Sequence, residues 1–250
     1  MNYAAFHSFD DLWLVASKGV YREWFYLGEA LTEFGEKAKT TLEFLYGISK
    51  DKKDVQFCPQ PENIFEPFKW LRPYRGGSDK QVKVIITGQD PYHSIKYGVM
   101  DAVGIAFQSP ARYTPQSAMR LYESLVKYGH IPSDMPPLAD YRSWLSQGVL
   151  LMNRTFTVEE GIPGSHGAMW ANVAEAALRM VPQKSVAVLL GNDARSLIAG
   201  LPSKEKVEHV HPVSRGDVFL QKDLFGMVNA SIKKLGLTAI DWTPGPPVTG

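Results

Sequence analysis

Cysteine is almost missing from this 250-residue chain: Cys58 stands alone, so no intramolecular disulfide can form, and no CxxC pair is present to hold zinc or exchange thiols. A lone thiol fits a reducing compartment, and an intracellular, cytoplasmic location is expected. Residues Met1 to Asp10 lack the basic and apolar regions of a secretory leader. No apolar run approaches the roughly 20 residues needed to cross a bilayer, so no membrane association is expected. Charge of one sign is not in excess either. With 27 basic and 26 acidic residues the net charge is +1, and the composition announces no polyanionic partner. Any nucleic-acid contact has to be local; Lys96, Arg112, Arg120, Arg195, Arg215 and Lys222 each read, taken singly, as solvated surface charge. GxGxxG and GxxxxGK[ST] stretches are absent, which removes support for dinucleotide and P-loop readings. What the chain does have is 44% hydrophobic and 12% aromatic content, enough to bury one substantial core without covalent staples.

From Ser8 to about Tyr46 the pattern is helical, with Leu12, Val15, Val20, Trp24, Phe25, Leu27 and Leu31 interleaved with charges. A stretch punctuated by Pro and Gly, Cys58 to Gly77, leads to Val82-Lys83-Val84-Ile85-Ile86-Thr87, whose β-branched content marks a buried strand. Three more short apolar runs follow at Gly148 to Met152, Ser185 to Leu190 and Val207 to Val210. Between them lie helical patterns with recognisable ends. One has Thr114 as cap, Pro115 in the first turn and Gly129 at the stop; another runs from Gly167 to Val181 before Pro182. Strands alternating with helices predict an α/β fold: a single-domain, three-layer αβα arrangement around a central, mainly parallel four-stranded sheet. The expected organisation is one domain over residues 1–242, with a helical part over 1–63 and a core over 64–242, followed by a loose tail over 243–250.

Ligands of open parallel sheets bind beyond the carboxyl ends of the strands. Each predicted strand here ends on polar residues: the first runs into Gly88-Gln89-Asp90-Pro91-Tyr92-His93, the second into Asn153, the third into Gly191-Asn192-Asp193, the fourth into His211-Pro212. Any one of these serves equally well as a loop residue satisfying its own backbone. Their joint placement brings an Asp, an Asn and a His from distant parts of the chain to one crevice, and points to a site.

The hexapeptide Gly88-Gln89-Asp90-Pro91-Tyr92-His93 directly after a Val/Ile strand resembles the water-activating motif of the uracil-DNA glycosylases widespread in bacteria, eukaryotes and viruses. The likeness continues through Gly104-Ile105-Ala106-Phe107, Gly148 to Asn153, Gly164-Ser165-His166 with Trp170, His211-Pro212 and Ile240-Asp241-Trp242. It covers roughly Ile64 to Trp242. The resemblance implies a DNA-repair enzyme that hydrolyses the bond between uracil and deoxyribose after flipping the base out of the helix. It needs no metal and no cofactor, and acts as a monomer on uracil-containing DNA. Asp90 would orient the attacking water and stabilise the sugar cation, and His211 would donate to the uracil oxygen on which charge accumulates. Asn153 would read uracil N3–H and O4, whose hydrogen-bond polarity cytosine reverses. Tyr92 would crowd C5 and exclude thymine, Phe107 would stack on the base, and Gln89 would line the pocket. Phosphate contacts fall by the same resemblance on Ser117, Ser165, His166, Gly191, Asn192 and Ser214.

The chain also departs from that pattern. The family follows its histidine with Ser-Pro-Leu-Ser, whose leucine enters the duplex; here the run is His211-Pro212-Val213-Ser214-Arg215-Gly216-Asp217, and the expectation is either that Arg215 substitutes as the wedge or that duplex invasion is weak and single strands are preferred. Protein inhibitors that engulf the leucine loop are expected to bind poorly for the same reason. The proline run thins to Tyr113-Thr114-Pro115-Gln116-Ser117, and about four extra residues lie near Lys96 to Val103. Two rival readings stay open at this point: a metal-assisted hydrolase using Asp90, His93, His209 and His211, and a non-catalytic DNA-binding scaffold. Two imidazoles at alternate positions of one strand, His209 and His211, lack a placed third ligand.

Overall fold

The computed structural model describes residues 2–52, 54–74, 80–96, 98–110, 114–137, 140–191 and 201–245. Its centre is a four-stranded sheet of β1 (Val84–Gly88), β2 (Val149–Asn153), β3 (Val186–Leu190) and β4 (Glu205–His209), in the order β4-β3-β1-β2. All three pairings are parallel, in registers that match Val84 to Val149, Val84 to Val186, and Glu205 to Val186. β1, β2 and β3 are buried at every residue, as unbroken apolar runs covered on both faces must be. β4 is an edge strand, and only Val207 and His209 are buried in it.

Successive side chains point to opposite faces, and this splits the interior in two. Val84 and Ile86 of β1 with Val149 and Leu151 of β2 pack into one core, against Leu121, Trp144, Phe225 and Trp242. Ile85, Leu150 and Met152 turn to the other, against Leu12, Phe34, Leu42 and Trp170. The helices supplying these residues are α1 (Phe9–Ser17), α2 (Arg22–Phe25), α3 (Glu33–Asp51), α4 (Gln116–Lys127), α5 (Arg142–Ser146), α6 (Gly167–Arg179) and α7 (Leu224–Lys234). The fold is therefore the expected three-layer α/β arrangement. The chain passes from central β1 to the β2 edge and returns across β1 to β3. That reversal opens a crevice at the carboxyl ends of the strands.

Several sequence boundaries move. The continuous helical pattern of Ser8 to Tyr46 is broken after Phe25, where Tyr26–Leu27 pairs antiparallel with Ala30–Leu31 around Gly28 at φ +65°. Apolar spacing alone does not reveal this break, because the flanking helices keep their buried faces on one core. α3 then starts afresh on the Thr32 hydroxyl, which accepts from Gly35 N–H at 2.9 Å. Thr114 does not cap α4: Pro115 holds that position without a side-chain bond, and the Thr114 hydroxyl donates instead to the Pro137 carbonyl at 3.3 Å. Gly129, at φ +72°, stops that helix as expected. At the far end, Thr243 and Gly245 are pinned rather than loose. The Thr243 carbonyl accepts from Ser143 Oγ at 3.1 Å, and Gly245 N–H donates to the Asp140 carbonyl at 3.0 Å. Residues 246–250 lie outside the described residues. Among the described residues no helix is long and apolar enough to cross a membrane.

Candidate active site

A cleft of about 300 Å³ opens at the carboxyl ends of β1 and β2, and its walls include Gln89, Asp90, Tyr92, Phe107, Asn153 and His211. Its floor is set by backbone pairing. The β1–β2 ladder runs on past the strands, with Arg154 N–H donating to Gly88 O at 2.9 Å and Thr155 N–H to Gln89 O at 3.0 Å. Gly88 is required where these strands end: a Cβ there would lie 2.3 Å from Asn153 Oδ1. Without that side chain, the Asn153 amide, only 5% exposed, lies across the end of β1.

Asp90 follows two residues later and is half-buried. Its carboxylate accepts from the Thr155 hydroxyl and from Gly164 N–H, and Arg154 and His93 add favourable charge. Burial outweighs these contacts and raises the Asp90 carboxyl above the ordinary aspartate value. Thr155, Arg154 and Gly164 were not singled out by sequence. The available signal was the position of Thr155, two residues beyond Asn153 where the chain leaves the carboxyl end of β2.

The opposite wall is Phe107, a buried ring whose backbone has φ +67°. This left-handed conformation is strained for a residue with a side chain. The approach to it depends on Gly104, at φ +80°, where an added Cβ would fall 1.8 Å from the Asn63 carbonyl oxygen. Tyr92 bridges this wall to α4. Its hydroxyl lies 2.8 Å from Ser117 Oγ and donates to the Phe107 carbonyl at 3.3 Å. His211 enters from the loop beyond β4. Val213 N–H donates to His211 Nδ1 at 3.3 Å and Ser214 N–H to His211 O at 2.9 Å. Gly191, at φ +78°, closes against this residue: a Cβ would stand 3.1 Å from His211 Cβ.

The residues expected to touch DNA are placed differently. Ser117 lines the cleft, whereas Ser165, His166, Gly191, Ser214 and Arg215 do not. Ser165 Oγ accepts from Glu159 N–H at 2.8 Å. His166 is buried, with its Nδ1 2.9 Å from Thr157 Oγ1 and its ring edge-on to Phe57; burial pushes its pKa down to about 4. Arg215 and Val213 are exposed, and Ser214 is half-buried. Asn192, with Arg112 and Arg195 of the scattered cations, lies outside the described residues. In the region of the extra residues, near Lys96 to Val103, Ile95–Lys96 pairs antiparallel with Val99–Met100, and Ile95 and Met100 pack with Cys58 and Val158. Cys58 is buried there as an apolar filler, its thiol pushed up to about 11. Among the described residues no group of three or more His, Cys, Asp or Glu is arranged to hold a metal ion. His209 packs edge-on against Phe219 at 4.8 Å.

A parallel α/β sheet that delivers a carboxylate, an amide and an imidazole to one cleft has the equipment of a hydrolytic enzyme. No family model matches the chain. A uracil-DNA glycosylase of Thermobifida fusca is 34% identical over 194 residues, 74% of this chain and 79% of that protein. Uracil-DNA glycosylase 1 of Listeria monocytogenes is 34% identical over 214 residues, covering 80% of this chain and 90% of the relative. The fold matches that of a mimivirus UNG variant solved in complex with UGI, at a TM-score of 0.76 and 24% identity over 94% of this chain and 93% of that one. The chain belongs to the uracil-DNA glycosylases, DNA-repair hydrolases of N-glycosyl bonds that remove uracil from DNA.

Proposed function

We propose that the chain releases uracil by taking the flipped-out nucleotide into the cleft between Asn153 and Phe107, with Asp90 and His211 as its catalytic residues. One observation carries this reading: both of these groups, which lie 121 positions apart in the sequence (211 minus 90), line the same cleft with the Asn153 amide. Breaking the bond from C1′ to N1 leaves positive charge on the sugar and negative charge on the base. Asp90, ionised, stabilises the sugar and orients the water whose oxygen bonds to C1′. The electron pair of the broken bond stays with uracil, where His211 Nε2–H donates to the carbonyl oxygen that gains charge. Preorganised donors of this kind contribute about 2.7–4 kcal/mol each. The attacking water gives up a proton to the Asp90 carboxylate and the uracil anion takes one up at N1, so free uracil and an abasic sugar are the products, and no metal or cofactor enters the step.

Recognition follows from the same walls. Asn153 accepts from N3–H and donates to O4, Phe107 stacks on the base, Tyr92 stands at C5, and Gln89 lines the entrance. Uracil-containing DNA, single- or double-stranded, is the partner, gripped at the rim by Ser117, Ser165, His166, Gly191, Asn192, Ser214 and Arg215. Residues 1–242 act as one folding unit, supported by Leu12, Trp24 and Phe34 sharing a buried cluster with Ile85 and Leu150 of the sheet. The protein works as an intracellular monomer. UGI-type partners bind weakly, because Val213-Ser214-Arg215 replaces the leucine-bearing run; tight stoichiometric inhibition by UGI contradicts that.

The test is an oligonucleotide with one central uracil, incubated with excess chelator and assayed for free base and alkali-labile abasic sites. Free uracil with an intact oligonucleotide backbone is expected, with no base released from a cytosine control. No free base, or activity abolished by the chelator and restored by metal, overturns the proposal.

A further inference from the structure

The Tyr92 ring and the start of α4 are joined by a contact that the catalytic chemistry does not use. Ser117 Oγ lies 2.8 Å from the Tyr92 hydroxyl, and that hydroxyl donates onward to the Phe107 carbonyl at 3.3 Å. If the phenol donates to Phe107, its oxygen is left to accept the Ser117 proton, so both bonds are satisfied at once. Tyr92, Phe107 and Ser117 all line the cleft. A phenol pinned at its para oxygen cannot swing about its χ angles without breaking a hydrogen bond, whereas an unpinned ring turns on its Cβ. The anchor is itself rigid: Ser117 is the second residue of α4, whose Ala118 and Leu121 are buried, and the Phe107 carbonyl belongs to a residue locked at φ +67°.

We infer that Ser117 sets base selectivity by holding the Tyr92 ring against the C5 side of the pocket. In this role it is a positioning residue and not only a contact to the DNA strand. The inference rests on the reading that uracil occupies this cleft with its C5 edge at Tyr92. A base carrying a substituent at C5 requires the ring to move, and the Ser117 and Phe107 bonds resist that movement. A serine that merely grips a phosphate weakens all substrates alike and leaves their ratio unchanged.

The experiment measures kcat/KM on matched oligonucleotides carrying uracil, 5-fluorouracil or thymine, for the wild type, Ser117→Ala, Tyr92→Phe, the double variant, Ser117→Thr and Tyr92→Ala. Intrinsic differences in base reactivity cancel when ratios are compared between variants. Ser117→Ala is expected to relax the preference for uracil by roughly two- to tenfold, the worth of one neutral hydrogen bond read as a rate ratio, and Tyr92→Phe, which removes the bond to Phe107 as well, by at least as much. The double variant is expected to be no more relaxed than Tyr92→Phe, because losing the phenol already removes the Ser117 bond. Ser117→Thr restores selectivity, and Tyr92→Ala relaxes it most. A Ser117→Ala enzyme with an unchanged ratio, whatever its rate, overturns the inference, as do additive effects in the double variant. A wild type that releases no uracil, or a Tyr92→Ala enzyme with unaltered selectivity, defeats instead the underlying reading of the pocket.

Discussion

The cleft at the carboxyl ends of β1 and β2 and the neighbouring segments proposed to grip DNA are built to different rules. The pocket groups stand on or just past the ends of strands whose registers are fixed by the ladder: Asn153 closes β2, Asp90 follows β1 by two residues, and Thr155 is held by its own bond to Gln89. Apart from Ser117 on α4, the residues proposed to meet DNA stand outside the central strands, and several are occupied with local structure, as when Ser165 accepts from Glu159 N–H and His166 is buried beside Thr157. Chemistry that tolerates little displacement is carried by the sheet, whereas grip on a flexible polyanion is left to segments that can differ between relatives. Substitutions in the two regions are therefore expected to fail in different ways.

The largest effect falls in the pocket. Asp90→Asn is expected to lower single-turnover uracil release by about 10²–10⁴-fold, and His211→Leu by about 10²–10³-fold, with little change in DNA affinity. Activity near wild type in either variant would place the chemistry elsewhere. Gly88→Ala comes next. Its methyl group would meet Asn153 Oδ1 at 2.3 Å and must displace the reading amide; roughly tenfold or greater loss of activity with about 1–3 kcal/mol of stability is expected, from kinetics and denaturant unfolding. The pH dependence sharpens the comparison. In the proposed mechanism Asp90 acts ionised, and burial raises its pKa, so activity is expected to fall with acid through a midpoint above that of an ordinary aspartate. Thr155→Val removes a contact that lowers that pKa, so the acid limb moves further up; an unmoved limb separates Thr155 from Asp90. The smallest effect belongs to the rim. Arg215→Ala is expected to change single-strand rates by less than about threefold while lowering the double- to single-strand ratio. An unchanged ratio removes Arg215 as the wedge.

Much of this was legible in the residues because it depends on local pattern. A β-branched run marked β1 and short apolar runs marked β2, β3 and β4, and the residues at or just beyond their carboxyl ends named Asp90, Asn153 and His211. The hairpin at Tyr26–Leu31 was hidden, since apolar spacing carried through it without a break in composition. Thr114 was misread because its acceptor, the Pro137 carbonyl, is distant in sequence. Thr155 and Gly164 are hidden for a similar reason: nothing local announces that a hydroxyl or a backbone N–H will donate to a carboxylate more than sixty positions earlier. The tie between Ser117 and Tyr92 likewise arises only when the start of α4 is laid against the turn after β1.

The most direct measurement is a crystal structure of the chain bound to DNA that carries a cleavage-resistant uracil nucleotide. The account predicts uracil extruded and stacked on Phe107, its N3 and O4 edge on the Asn153 amide, the Asp90 carboxylate beside C1′ and His211 Nε2 on the base oxygen. A base left in the helix, or lodged away from Asp90 and His211, would contradict it.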